Sequence, residues 1–399
     1  MERRKVSLPL LIGGATTSEI HTAVKIAPAY SGPVIHVKDA SKTAGVLASL
    51  LRENSHEYSA AVRDKYSKLF NDHNSRRSEK ILIPLDKARA NRLLTGWESY
   101  KISVPLAPGL HVIKEFDLDE LVRYIDWTFF FFAWKLSGKY PAILSDPVKG
   151  AEARKLYDDA QKCLKEIADR RLVIPRGVVG LYPAVADGDD VKVLSDDRGE
   201  TRAVLRFLRN QEQKERGVPN LSLSDYIAPE STGLTDYIGL FVVTATLNEA
   251  VLEEYKKDDY KHIMIRILSD RIAEAAAELL HEKVRKEYWG YAPDENLSPD
   301  DLFRIQYKGI RPAPGYPACP DHTEKRIIFA LLDAERNAGA GLTENFAMTP
   351  PATVSGYIFS HPSSSYFKTG KIGKDQLADY ASRKGITVEE AARWLAPNL

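Results

Sequence analysis

The sequence has little of what most often betrays a function. Cysteine occurs only twice in 399 residues, at Cys163 and Cys319. Two distant cysteines can form neither a disulfide framework nor a CxxC metal knuckle, so a reducing, cytoplasmic setting is expected. No apolar run approaches the roughly 20 residues that span a bilayer, and the N-terminal LPLLI is shorter than a secretory signal core. An excess of one charge is missing too: 56 Lys and Arg face 55 Asp and Glu, a net charge of +1. That balance argues against a nucleic-acid binder, which would carry a basic patch. GxSxG, GxGxxG and GxxxxGK[ST] are absent, as is any obvious Cys–His pair. If the chain catalyses, it does so by positioning reactants. No side chain is assigned as nucleophile, general base or metal ligand.

What is present is ordinary globular material, 44% hydrophobic and 28% charged, enough for two or three domains. The first segment reads strand, helix, strand, helix: Val6–Ile12, Ser18–Ile26 with Thr17 or Ser18 as cap, Pro33–Val37, and Ser41–Arg52. This is the rhythm of a doubly wound parallel sheet. Two parallel strands cannot cover their own faces and edges, so the segment is expected to be the end of a larger α/β domain. Residues 1–60 are assigned to that partial domain, 61–100 to a linker, and 101–399 to an α+β domain. In the last, RGVVGLYPAVADGDDVKVL (176–194) reads as two strands around a turn, and Tyr237–Ala245 as an apolar strand. Helices are expected at Gly150–Ile167, Tyr260–Tyr288 and Thr323–Asn337. SGYIFSHPSSSYFKTGKI (355–372) suggests two strands about a polar loop, and Lys374–Lys384 and Thr387–Leu395 two short final helices. That pair resembles a helix-turn-helix only in outline, having no basic recognition helix.

One stretch is unlike the rest. RPAPGYPACPDH (311–322) carries four prolines in twelve residues and can be neither a helix nor a central strand. Its carbonyls must find water, side chains or a ligand. Arg311 offers a planar fork suited to a carboxylate, Gly315 allows close backbone approach, and Tyr316 presents a ring. Together they suit a small zwitterion or cation; a structural crossover loop with Arg311 in an ordinary ion pair accounts for them equally. Zinc at Cys319, Asp321 and His322 lacks a second ligand cluster. Glu278-x-x-His281 has a di-iron spacing but no second copy, and reads as a solvated helix face, with Glu274 on roughly the same side. The phenylalanines of DWTFFFFAW point all around a helix and imply burial on most sides; Asp126 before them suits a helix cap or a carboxylate aimed into a cleft. IGGATTS, after the first strand, could cradle a polar group at a helix N-terminus, or be a plain strand-to-helix turn.

RPAPGYPACPDHTEK, with DWTFFFFAWKLSGKYP, RGVVGLYPA, DYIGLFVVTA, AEAAAELLHEKVRKEYWGYAP and LTENFAM, resembles the C-terminal activation domain of cobalamin-dependent methionine synthases. The resemblance runs from about Leu8 to Leu399. PLLIGGATTSEIHTAVKIAPAYSGPVIHVKDASKTAGV resembles the end of the same family's cobalamin-binding domain. It implies an α+β domain with a twisted antiparallel sheet and flanking helices, preceded by a partial α/β remnant. It also implies a methyltransferase module that binds S-adenosylmethionine. With an electron from flavodoxin or a related flavoprotein reductase, the module would restore methylcobalamin after oxidation to cob(II)alamin. Carried over by position, Arg311 would contact the methionine carboxylate and Ala313, Gly315 and Tyr316 would make neighbouring contacts. Asp126 would face the ammonium, and Tyr366 and Phe367 would hold the nucleoside end. Glu274, Ala40, Gly13 and Gly14 would lie near the cobalamin.

The departures are as informative. The DxHDxG motif that supplies the histidine beneath cobalt is absent, and His21 and His36 stand in other contexts. Zinc-cysteine and folate domains are absent as well, so the chain is expected to be a fragment or a subunit needing a cobalamin-carrying partner. Ile305 stands where the family pattern suggests an acid. Two other readings remain: a docking module for flavodoxin and a cobalamin protein that turns nothing over, and a methyltransferase acting on another acceptor.

Overall fold

The structure, a computed structural model, describes residues 8–13, 18–37, 43–52, 55–76, 81–195 and 199–399. The chain forms two compact units, Met1–Ile81 and Leu82–Leu399.

In the first unit, Leu10–Gly13 (β1) and Val34–Val37 (β2) pair in parallel, Leu10 opposite Val34 and Gly13 opposite Val37. Ser18 caps the intervening helix, its hydroxyl accepting from the His21 N–H. Helices Thr43–Leu50 and Ser55–Arg76 follow, and the buried Tyr66 hydroxyl accepts the His36 N–H at 2.7 Å. The strand–helix alternation is as expected. Gly13 ends β1; Gly14 and Ala40 lie outside the described residues, as does most of IGGATTS.

The division between the units, at residues 81/82, falls inside the stretch 61–100 expected as a linker. Residues 82–100 belong to the second unit because polar contacts bind them there. The Ile83 N–H donates to the Gln211 carbonyl at 3.0 Å, and Arg89 reaches Asp189 and Asp379, each at 2.8 Å.

The second unit is built on one antiparallel sheet. Its strands are Gly109–Ile113 (β3), Val173–Asp187 (β4), Asp190–Leu194 (β5), Thr201–Arg206 (β6), Asp236–Leu247 (β7) and Thr353–Ile358 (β10). A separate ribbon pairs Gly341–Leu342 (β8) with Met348–Thr349 (β9). The order is β10-β7-β4-β5-β6, with β3 sharing the β4 edge that β5 also uses. The β4–β5 turn is the expected one: Asp187 pairs with Asp190, and Gly188 at φ +63° takes the left-handed position that a two-residue hairpin needs.

Side-chain alternation sends Val179, Leu181, Phe241 and Val243 to one face and Val178, Tyr182, Leu240 and Val242 to the other. Each face builds a core, giving the layered α+β arrangement expected. Helices Gly150–Arg170 and Asp259–Lys283 cover the first face. Asp258 caps the long helix, and the buried Ala275, Ala276 and Ala277 let it lie close to the strands. Lys325–Leu332 and Ala334–Ala338 cover the second face. Lys374–Lys384 and Val388–Trp394 form a small core of their own around Tyr380 and Leu395.

Three local expectations fail. Thr323–Asn337 is not one helix: Asp333 adopts φ +45°, and the chain restarts beyond it. Only the first half of 355–372 is a strand. The second half gives its N–H groups elsewhere, Thr369 to Pro317 and Ile372 to Asn398. The phenylalanine run is half buried: Phe130 and Phe131 are in the core, whereas Phe129 and Phe132 are 58% and 46% exposed. A short helix, Trp127–Ala133, turns about 100° per residue, so four neighbours cannot all face one core.

Candidate functional site

The proline ribbon lies along the free edge of β10. Ile310 and Phe359 exchange both backbone hydrogen bonds at 3.0 Å, and the Tyr357 N–H donates to the Pro312 carbonyl at 2.8 Å. Further carbonyls of the ribbon are also occupied: Ala313 by the Tyr316 N–H, Tyr316 by Cys319, Cys319 by Gly315, and Pro317 by Thr369. The ribbon thus shields a sheet edge and fixes its own shape. It is not the row of open acceptors that its prolines suggested.

That shape walls a cavity of about 470 Å³, within the range of small-molecule sites. The ribbon supplies Arg311, Ala313, Tyr316 and Ala318. The long helix supplies Glu274; Phe241 of β7 and Ser355 of β10 also line the cavity. The turn after the ribbon brings His322 and Lys325, and the segment after β10 brings Tyr366, Phe367 and Lys368. Arg311, Ala313, Tyr316, Tyr366, Phe367 and Glu274, far apart in sequence, therefore meet here. Gly315 stands behind them at φ +93°, where a Cβ would lie 2.1 Å from the His322 ring. Any side chain there would expel His322 from the wall.

Arg311 is held at both ends. Its backbone N–H donates to the Tyr366 hydroxyl at 3.0 Å, and that hydroxyl bonds the Tyr307 hydroxyl at 3.1 Å. Its guanidinium pairs with Glu278. Glu278 and His281 are buried, so the solvated-face reading of this helix stretch is overturned. The face turns inward because Arg311 and Tyr307 close over it. Burial, then the Arg285 charge, holds the His281 ring well below its ordinary pKa. At the other end of the cavity, Lys325 donates toward His322 Nδ1 at 3.0 Å and to the Phe346 carbonyl at 3.1 Å. Burial lowers the Lys325 pKa; burial and the Lys325 charge lower that of His322.

The structure does not bring Asp126 into this cavity. Its Oδ1 caps the Trp127–Ala133 helix, accepting from the N–H groups of Thr128 and Phe129 at 2.9 and 3.4 Å. It lines a separate cleft with Lys139, Tyr140 and Arg304. Of the three residues weighed for zinc, Asp321 is taken by Lys384 and Tyr380, each at 2.7 Å, and Cys319 is buried.

Glu278, His322 and Lys325 escaped assignment to the site from sequence. One signal was available for Glu278: it stands a turn from Glu274, in an alanine-rich stretch that implies close packing rather than solvent. The other two carry none, since only the Gly315 turn brings them to the ribbon.

The arrangement offers a mostly enclosed guanidinium at Arg311, a buried ammonium at Lys325, an exposed carboxylate and aromatic walls. These suit a zwitterionic head joined to a flat heterocycle. Residues 117–385 match the model of the vitamin B12-dependent methionine synthase activation domain. A solved structure described as the MetH reactivation domain bound to AdoHcy is similar over 80% of this chain and 98% of its own. The two are 49% identical, with a TM-score of 0.77.

Proposed function

The chain belongs to the family of vitamin B12-dependent methionine synthase activation domains, and from that premise we propose that its cavity binds S-adenosylmethionine for reductive methylation of cobalamin. The observation that carries this reading is the meeting of Arg311, Glu274 and the ring-lined ribbon in one cavity. Arg311 takes the carboxylate of the methionine moiety with its guanidinium. Glu274, exposed on the cavity wall, takes the ammonium. Tyr316, Tyr366 and Phe367 pack on the nucleoside, with Ala313 and Gly315 setting the ribbon's approach. Asp126 is left out of this set, as a helix cap. The solved relative's AdoHcy, the demethylated form of the same ligand, supports the assignment.

The chemistry asks little of acids and bases. A sulfonium methyl is already an electrophile, and the chain's task is to hold it still and keep water away. The cobalamin side fits less well. The sequence has no DxHDxG histidine motif, and of the residues expected near the corrin in the first unit only Gly13 is described. A cobalamin-carrying domain of a methionine synthase is the partner the family implies, and flavodoxin or a related reductase is the electron source we favour.

Titration calorimetry tests the reading. S-adenosylmethionine should bind saturably, and Arg311→Ala should weaken it at least about tenfold, as for loss of a charged hydrogen bond. An unchanged affinity in the variant would remove Arg311 from the site. No binding by the parent would favour the docking-module alternative.

A further inference from the structure

We propose that Glu278 is a positioning residue: through the partly buried Arg311 guanidinium it sets how the cavity receives the amino-acid end of its ligand. This rests on the cavity being the S-adenosylmethionine site. Glu278 stands four residues after Glu274, on the same side of the Asp259–Lys283 helix. Yet the two carboxylates differ. Glu274 is exposed on the wall, whereas the Glu278 side chain is 10% exposed and pairs with Arg311, itself 15% exposed.

The pair is not saturated. Glu278 Oε2 and Arg311 Nε are buried with no hydrogen-bond partner. A guanidinium offers five donors in a fixed plane. Fastening one edge to Glu278 fixes the direction in which the remaining donors point. The backbone cannot do this alone, because the Tyr366 hydroxyl holds only the Arg311 N–H.

The surroundings leave Glu278 as the group that orients the fork. Arg285, a buried cation nearby, is engaged with Glu295 at 2.6 Å and packs over Tyr307 at 4.7 Å. His281, one turn beyond Glu278, stands edge-on to Tyr307 at 4.8 Å. Tyr307 in turn bonds Tyr366. Without Glu278, the guanidinium would swing toward solvent or fold back on Glu274, and its carboxylate-binding edge would lose its fixed direction.

The test uses two ligands that differ only in the part Glu278 is held to govern. S-adenosylhomocysteine carries the amino acid; 5′-methylthioadenosine keeps the nucleoside and thioether without it. Both are titrated calorimetrically into the full chain, its Glu278→Ala variant and its Glu278→Gln variant. Glu278→Ala should bind S-adenosylhomocysteine at least about tenfold more weakly while 5′-methylthioadenosine binds as before. Glu278→Gln, which keeps an acceptor for the guanidinium, should recover most of the loss. Unchanged S-adenosylhomocysteine binding by Glu278→Ala overturns the proposal, and so does an equal loss for both ligands, which marks a merely structural residue. Should the alanine variant fail to fold, Glu278→Asp keeps the buried charge but withdraws it by one methylene. Selective loss of the amino-acid ligand then supports the role, and parent-like or equally reduced binding removes it. Failure of the parent chain to bind either ligand would instead sink the cavity assignment, and this inference with it.

Discussion

At the scale of single residues, the informative positions are those where backbone and side chain disagree. Ile305 follows the Pro299–Phe303 helix at φ +59° with its side chain 51% exposed. Its N–H donates to the Leu302 carbonyl at 2.9 Å, and the next N–H reaches Asp301 at 3.0 Å. This is the left-handed close of a helix, where glycine is usual and a β-branched side chain is strained. The position does not line the cavity, so an acid expected there by family pattern is not needed for the wall. Left-handed backbone costs a non-glycine residue about 1–2 kcal/mol, of which glycine's greater unfolded freedom takes back about half. Ile305→Gly should therefore raise stability by roughly 0.5–1 kcal/mol, read as a higher denaturant midpoint at unchanged slope. A lower midpoint would show that the isoleucine makes contacts outweighing its strain. The same reasoning from φ made Gly315 legible in the sequence as a close approach; what it approaches, His322, was not.

At the scale of elements, the segment after β10 shows how a cavity wall is held without regular structure. His361 opens the segment that later supplies Tyr366 and Phe367. Trp97 and Tyr100 pack on its ring with centroids at 4.8 and 4.5 Å. Its Nδ1 accepts the Ser363 N–H at 3.1 Å, which places the proton of the neutral ring on Nε2, a buried atom with no partner. Burial pushes the His361 pKa down to about 4 from the ordinary 6.5. A group whose folded pKa is depressed stabilises the fold above its unfolded value. The contribution is complete above pH 6.5 and declines as the pH falls toward 4. The thermal midpoint of the parent should drop across that window, and His361→Phe, which cannot take up the proton, should flatten the decline. Equal slopes for the two proteins would show that other groups govern acid sensitivity. Neither the strap nor its histidine was legible, because Trp97 and Tyr100, far upstream, have no sequence relation to the ring they cover. The proline ribbon was legible as irregular and stiff, but its carbonyls, read as open, were closed by β10 and by the chain near Thr369.

At the scale of the whole molecule, every residue lining the cavity belongs to the unit Leu82–Leu399. That unit has its own cores on both faces of the sheet and meets the usual description of an independently folding domain. Residues 82–399 produced alone should fold and bind S-adenosylhomocysteine with the affinity of the full chain, measured by the same calorimetry. A large loss would assign residues 1–81 a part in the site. The buried charges fit this autonomy: Arg209 is held between Asp189 and Asp225 at 2.7 and 2.8 Å, and all three lie within the unit.

Sequence by itself determined the local chemistry: the alternation that gives β4 and β7 two buried faces, the Gly188 turn, the stiffness of residues 311–320 and the suitability of Arg311 for a carboxylate. These follow from φ preferences, side-chain period and functional groups, which act over a few residues. Tertiary structure alone decided that Glu278 is buried and reserved for Arg311, that Asp126 is spent on a helix end, and that Asp189, read only as part of a turn, anchors Arg89 and Arg209. Which charge a carboxylate meets depends on which surfaces close over it, and that is settled when distant segments pack.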